Sequence, residues 1–465
     1  MRRLPRPLLL TLLLAACPGE VDPPPGDGTV TPDVLAAGGD CAAATGAGTM
    51  HTGTVTADEV WSAAGSPHVV QTGLRITATV VVEPCARVLL GPGAIIEVGT
   101  TTDAGRLVAS GEVDGDQVRS VTFDALDAAQ PWGQLYVAPE GTLDLSMVAV
   151  LRGGGTIVGQ RAALAATGVA GGTNDGEVLR TVRVRQVLVQ EAAGHGVDLS
   201  GWAAFTEDSH DLWIRDSGAD DAQEALHIEA GVASSVPTGI AVSGNRRDEI
   251  RVSTSKAFLR DDTFVARGVP YRVVSTLYIA PGVDAAPVTL AVEAGATLMM
   301  EAERHIIMGS TPERLGILRA EGTAAAPVVF TSAASSPAPG DWGSLYFRYF
   351  PTTGSSVRHA RIEYAGGESG TSGFGCGPGD NDAAVIILGQ GTDETPPGEV
   401  FVQDTTFAHN AGTTVIVSGW VDDEGPNFAP GNTFEADNPA CKVSRPRRTG
   451  PGDYCDGGRR DSCWE

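Results

Sequence analysis

The side chains able to do chemistry in this 465-residue sequence are scattered. Eight histidines, His51, His68, His195, His210, His227, His305, His359 and His409, include no pair at metal-ligand spacing, so no metal site is expected. Carboxylates gather in three places: Asp216, Asp220, Asp221 and Glu224; Asp380 with Asp382; and Asp422, Asp423 and Glu424. Carboxylates projecting from neighbouring strands could hold Ca²⁺, and a basic side chain beside them could take a proton. None of the three groups follows a calcium-loop pattern. The two lysines, Lys256 and Lys442, stand apart from them, and the question of an arginine base stays open. The carboxylates are therefore expected to be solvated turn residues. Ser209-His210-Asp211 has the letters of a triad, but neighbours on a strand point to opposite faces and are not expected to bond in series. Trp202 and Trp420 each close a Ser-Gly-Trp sequence and supply the one binding cue. Exposed there, their rings would stack on sugars; buried, they would pack against neighbouring strands. No nucleophile elbow or phosphate loop occurs. No catalytic residue is assigned and no cofactor is expected.

The elements that must position these side chains are strands. Sixty Gly and 29 Pro argue against a mostly helical chain, and 42% hydrophobic residues suffice for a core. Fifty-seven acidic against 32 basic residues give a net charge of −25, which argues against a nucleic-acid partner.

At the N-terminus, Arg2, Arg3 and Arg6 precede the apolar run Leu8 to Leu14 and then Leu14-Ala15-Ala16-Cys17, the plan of a signal peptide over residues 1–16. The run is too short to span a bilayer. Leu-Ala-Ala-Cys resembles the bacterial lipobox. That resemblance implies acyl chains, palmitate among them, on Cys17, a membrane partner reached through the lipid anchor, and, with Pro18 following, the bacterial outer membrane or cell surface. Residues 17–35, rich in Pro and poor in large apolar groups, are expected to be a flexible tether.

Three blocks then recur in order. Val82-Glu83-Pro84-Cys85-Ala86 matches Val292-Glu293-Ala294-Gly295-Ala296. Leu107 to Gly111, Val121 to Phe123 and Trp132 to Tyr136 match Leu318 to Gly322, Val328 to Phe330 and Trp342 to Tyr346. Val189 to Trp202 matches Phe407 to Trp420. The chain therefore reads as two tandem copies, 36–250 with an N-terminal cap and 251–440, and a basic tail, 441–465, that contains cysteines. Within each copy apolar residues alternate over four to six positions between Gly, Asn, Asp or Pro turns, as in Val187, Val189, Val197 and Leu199. Strand segments recur about every 20 to 25 residues, too close for propeller blades and without room for crossover helices. Fifteen to eighteen coils, roughly 80 Å of stack at the spacing of paired strands, are expected.

These blocks resemble the right-handed parallel β-helix repeats of bacterial surface lipoproteins, the shape shared by pectate-lyase-like proteins, over about residues 50–440. The resemblance implies an all-β, right-handed parallel β-helix and leaves the chemistry open. The expected role is a membrane-anchored surface module, structural or adhesive, with polysaccharide as the ligand class and no small-molecule cofactor. The alternative is a polysaccharide lyase or glycoside hydrolase using an acidic groove. Six further cysteines, an even number in an exported chain, are expected as disulfides: Cys41 with Cys85 to pin the N-terminal edge, Cys376 with Cys441, and Cys455 with Cys463.

Overall fold

Alternating short strands that cannot bury both faces alone must stack, and the chain does this by winding into a solenoid. The computed structural model describes residues 29–44, 46, 48–155, 161–168, 178–219, 223–254, 258, 260–282, 285–311, 313–348, 354–370, 381–387, 400–418, 427–445 and 462–464. One ladder of parallel pairings runs unbroken from Thr49–Val55 to Thr433–Phe434 through fourteen strands. At about 4.8 Å per rung the ladder is roughly 60 Å long. This is shorter than expected because coils near the C-terminal end carry long excursions: Arg361 pairs with Thr406 one rung on.

Period two fills the interior. In Thr79–Val82, Val80 and Val82 are buried while Val81 points out. The repeated large residues sit at the axis: Phe123 and Phe330, and Trp132 and Trp342, are all fully buried. Each such side chain contributes roughly 1.5–3 kcal/mol by leaving water, and stacking extends one continuous core along the solenoid.

The bends are made by residues in left-handed backbone. Met147, Gln186 and Asp211 have φ of 52°, 53° and 52° and stack at one corner; Arg152, Glu191 and Asp216, each five residues further along, have φ of 56°, 56° and 54° and stack at the next. The same five-residue bracket recurs in the second half, at His359 and Tyr364 and again at Asp404 and His409. Four residues lie between the corners each time. The bracketed strands nevertheless fall on different ladders. In the first half they pair apart from the long ladder, whereas Ala360–Glu363 and Thr406–Ala408 lie within it. The strand after Trp132, Gln134–Val137, belongs to the long ladder, and the strand after Trp342, Leu345–Phe347, belongs to a separate seven-stranded sheet. The repeated segments are thus offset by one face of the solenoid across a seam near Ile250–Ser253.

Among the described residues, the N-terminal segment from residue 29 does not lie over the end of the stack. A short helix, Pro32–Ala36, capped by Thr31 Oγ1 on the Val34 amide, lies on the flank. Leu35 is buried there among Ala149, Leu151 and Leu188, and Asp33 pairs with Arg215 at 2.6 Å. The expected Cys41–Cys85 disulfide is present. It ties this strap to the side of the second coil, so the expectation that it pins the edge is corrected: among the described residues Thr49–Val55 is the outermost strand, with Met50 59% exposed. At the other end Ser462–Trp464 pairs antiparallel with Val443–Arg445.

Candidate functional site

Beside the seam, alternation places one residue of each of four successive rungs on the outside. Asp198, His227, Arg251 and Arg272 stand in direct register, while Val197, Leu226, Ile250 and Tyr271 beside them face the core. His227 links two rungs, with Nδ1 2.9 Å from Asp198 Oδ1 and Nε2 2.8 Å from Ser253 Oγ. Arg272 donates to Glu301 at 2.9 Å and to the Ala333 carbonyl at 3.1 Å, with Glu249 at 3.5 Å.

Two further residues close the cluster. His195 and Glu224 begin neighbouring rungs, and the Glu224 amide lies 3.2 Å from His195 Nδ1. The Glu224 side chain is 1% exposed, and neither carboxylate oxygen has a hydrogen-bond partner. Arg251 Nη1 is 3.6 Å away, and Arg272 Nε and His195 Nδ1 are each 3.9 Å away. Burial pushes the Glu224 carboxyl above its usual range despite Arg251, Arg272 and Arg247 nearby. Burial, followed by the charge of His227, holds His195 below its usual value. A carboxyl held towards its acid form and an imidazole held towards its base form are the groups proton transfer requires.

A second histidine pair lies on the first two coils. His68 Nε2 donates to the Ser62 carbonyl, and His68 Nδ1 lies 3.0 Å from His51 Nε2. Trp61 packs on both rings and donates to Glu59. Spacing along the chain hid both pairs, because a solenoid brings together residues one coil apart. The usable signal is a polar residue recurring at the coil length inside an alternating apolar run.

The assigned residues fall as follows. Trp202 is half-buried at φ 63°, packed against the core, with Arg260 5.2 Å from its ring centroid. Cys441 is disulfide-bonded. Cys17, Trp420, Cys376, Cys455 and the side chain of Cys463, hence the two C-terminal pairings and the lipidation, lie outside the described residues, as do Lys256, Asp220, Asp221, Asp380 and 422–424. Glu224 overturns the expectation of a solvated turn carboxylate, because its register with His195 draws it beneath two guanidinium groups. Asp216 is exposed as expected, and Asp382 accepts from the Ser369 amide. The argument against His210 and Asp211 meeting is also corrected. The left-handed backbone of Asp211 breaks the alternation, and the two bond at 2.9 Å. Ser209 turns instead to Thr206 and the Val184 amide, so no relay forms. Among the described residues no group of three or more His, Cys, Asp or Glu is arranged to hold a metal.

Residues 258–349 match the family model of a pectate-lyase-like beta helix domain. The fold is a parallel β-helix. Its ladders continue on both sides of the matched residues. No curated protein and no solved structure matches the chain. No helix among the described residues is long and apolar enough to cross a membrane.

Proposed function

We propose that this β-helix is an exported, lipid-anchored module of the bacterial outer membrane or cell surface that serves a structural and glycan-binding role. The observation that carries this reading is the closed state of the charged ladder. Asp198 and His227 bond each other, His227 also reaches Ser253, Arg272 is held by Glu249, Glu301 and the Ala333 carbonyl, and Glu224 is 1% exposed. A catalytic groove presents such groups to an oligosaccharide; here they fasten the coils on either side of the seam. The two-copy organisation belongs to the same reading and is supported by the recurring five-residue bracket of left-handed corners. Trp202 and Trp420 are the sugar-stacking candidates of this reading, although the Trp202 ring is half-buried against the core beside Arg260, and the Arg-Arg-Leu-Pro leader with Leu-Ala-Ala-Cys17 supports the anchor.

The test is incubation of the tether-free protein with acidic and neutral polysaccharides, reading binding together with reducing ends and unsaturated-uronate absorbance. Binding without product is expected; turnover would overturn the reading. Cys17→Ser should leave the membrane fraction, and full retention there would refute the anchor. One observation favours the second reading, a lyase or hydrolase: the pairing of Glu224, held towards its acid form, with neutral His195. On that reading Glu224→Gln abolishes any turnover found.

A further inference from the structure

A cavity of about 250 Å³ opens where four layers of the solenoid present their edges. Arg180, from the strand Leu179–Gln190, forms one wall, and Arg267, from the turn between Asp262–Phe264 and Tyr271–Val273, forms another. Between them lie hydroxyl side chains from two intervening layers: Thr206 and Ser209 on one, Ser234 and Thr238 on the other. Ser234 and Thr238 are exposed.

Both guanidinium groups are held from behind. Arg180 Nη1 donates to the Phe205 carbonyl at 3.1 Å, and Arg267 Nε donates to the Val236 carbonyl at 3.2 Å. A guanidinium carries five N–H donors in a fixed fork. One bond to the neighbouring layer fixes its plane and leaves donors for a ligand. Glu207, also in the lining, stands 3.9 Å from Arg180 Nε on a side chain that is 85% exposed, while Asp208 and Asp262 accept from Thr206 Oγ1 and the Ser234 amide at 2.8 and 3.0 Å. The separation of Glu207 from Arg180 is beyond hydrogen-bond reach, so Glu207 acts as a loose counter-ion.

The geometry points to a subsite for a single oxyanion substituent, a sulfate ester or a carboxylate, carried on a glycan. Two held arginines with the exposed Thr238 hydroxyl beside them suit an anion with several acceptor oxygens, while Thr206 and Ser209 are bonded to Asp208, to each other and to the Val184 amide. The volume falls below the roughly 300–1,000 Å³ of sites that enclose a whole small ligand, so the cavity takes the substituent while the rest of the sugar chain lies outside. On a chain of net charge −25 the general surface repels anionic polymers. Retention of such a polymer therefore needs a local cationic seat. This inference rests on the glycan-binding reading and names the chemistry recognised.

Three probes separate the outcomes on the full-length processed protein at low ionic strength: dextran sulfate fragments, oligogalacturonate and unsubstituted dextran. Binding of at least one acidic probe, weakened tenfold or more in Arg180→Ala/Arg267→Ala and unchanged in the exposed-site control Arg106→Ala, is expected. Which acidic probe binds tells sulfate ester from carboxylate. Glu207→Gln, an exposed change that leaves the coils intact, should tighten the same probe several-fold by removing the competing charge. Acidic binding untouched by the double variant and by Glu207→Gln overturns the subsite and leaves the glycan reading standing. Unsubstituted dextran bound as tightly as its sulfated form does the same. Failure of all three probes to bind removes both.

Discussion

Cys85 and Gly295 occupy the same bend in the two halves of the chain, at φ 64° and 87°, and only Cys85 carries a cross-link. A non-Gly residue in left-handed backbone costs roughly 1–2 kcal/mol, so Cys85 is there for its sulfur. Cys41→Ser and Cys85→Gly both open the bond. The chain-entropy account puts the loss at about 4 kcal/mol for a loop of this length. Cys85→Gly should be less destabilising than Cys41→Ser by about 1 kcal/mol, because glycine relaxes the bend. Denaturant midpoints of the two variants decide this, and equal midpoints would refute the backbone account.

The matched tryptophans make a second pair of expectations. Trp132 Nε1 donates to the Leu151 carbonyl at 2.7 Å and Trp342 Nε1 to the Glu363 carbonyl at 2.9 Å, and both rings are fully buried. Trp→Phe at either site should cost about 1–3 kcal/mol, the price of stranding a buried carbonyl, and Trp→Ala about 3–5 kcal/mol through the cavity left. Thermal or denaturant unfolding checks both. A Trp342→Phe variant as stable as the parent would show that the indole N–H contributes nothing.

These residues also mark what the sequence makes legible. Trp132, Trp342, Val121 to Phe123 and Val328 to Phe330 repeat because each must fill the axis of a coil, so the strands and their stacking follow from period and recurrence. The offset of the halves by one face does not, because pairing Ile250–Ser253 with Tyr271–Val273 is a choice among ladders that local alternation leaves equal. The candidate site is hidden for a related reason. Asp198 and His227 read as unrelated polar residues until the coil length between them is known.

Asp198 and His227 are expected to be coupled energetically. Asp198→Ala leaves His227 Nδ1 without its acceptor at a part-buried position and should cost about 1 kcal/mol. The double variant Asp198→Ala/His227→Ala should cost less than the two single changes added together. A coupling of roughly 0.5–3 kcal/mol from the double-mutant cycle is the expected value. Strict additivity would mean that the pair is a contact without consequence.

Glu224 sets the pH behaviour of the seam. Groups facing it are His195 on the preceding rung, Arg247 and Glu249 beside it, and Arg251 and Arg272 on the following rungs. Its folded pKa is raised from 4.5 by burial. Stability from this group is therefore full below pH 4.5 and is lost as pH rises through the folded value. His195 behaves oppositely: its folded pKa is lowered from 6.5, so its contribution is present above 6.5 and lost as pH falls through the folded value. Glu224→Gln keeps the shape and removes the ionisation. The difference in unfolding free energy, variant minus parent, should be flat below pH 4.5 and should then rise, by at most about 1.4 kcal/mol per pH unit, the limit for one proton. The loss on the acid side should persist in this variant and should disappear in His195→Gln. Denaturant unfolding across pH 4 to 8 measures both limbs. A variant-minus-parent difference that does not change with pH would mean that Glu224 titrates as a solvated carboxylate, and the closed ladder would then have to be open to water.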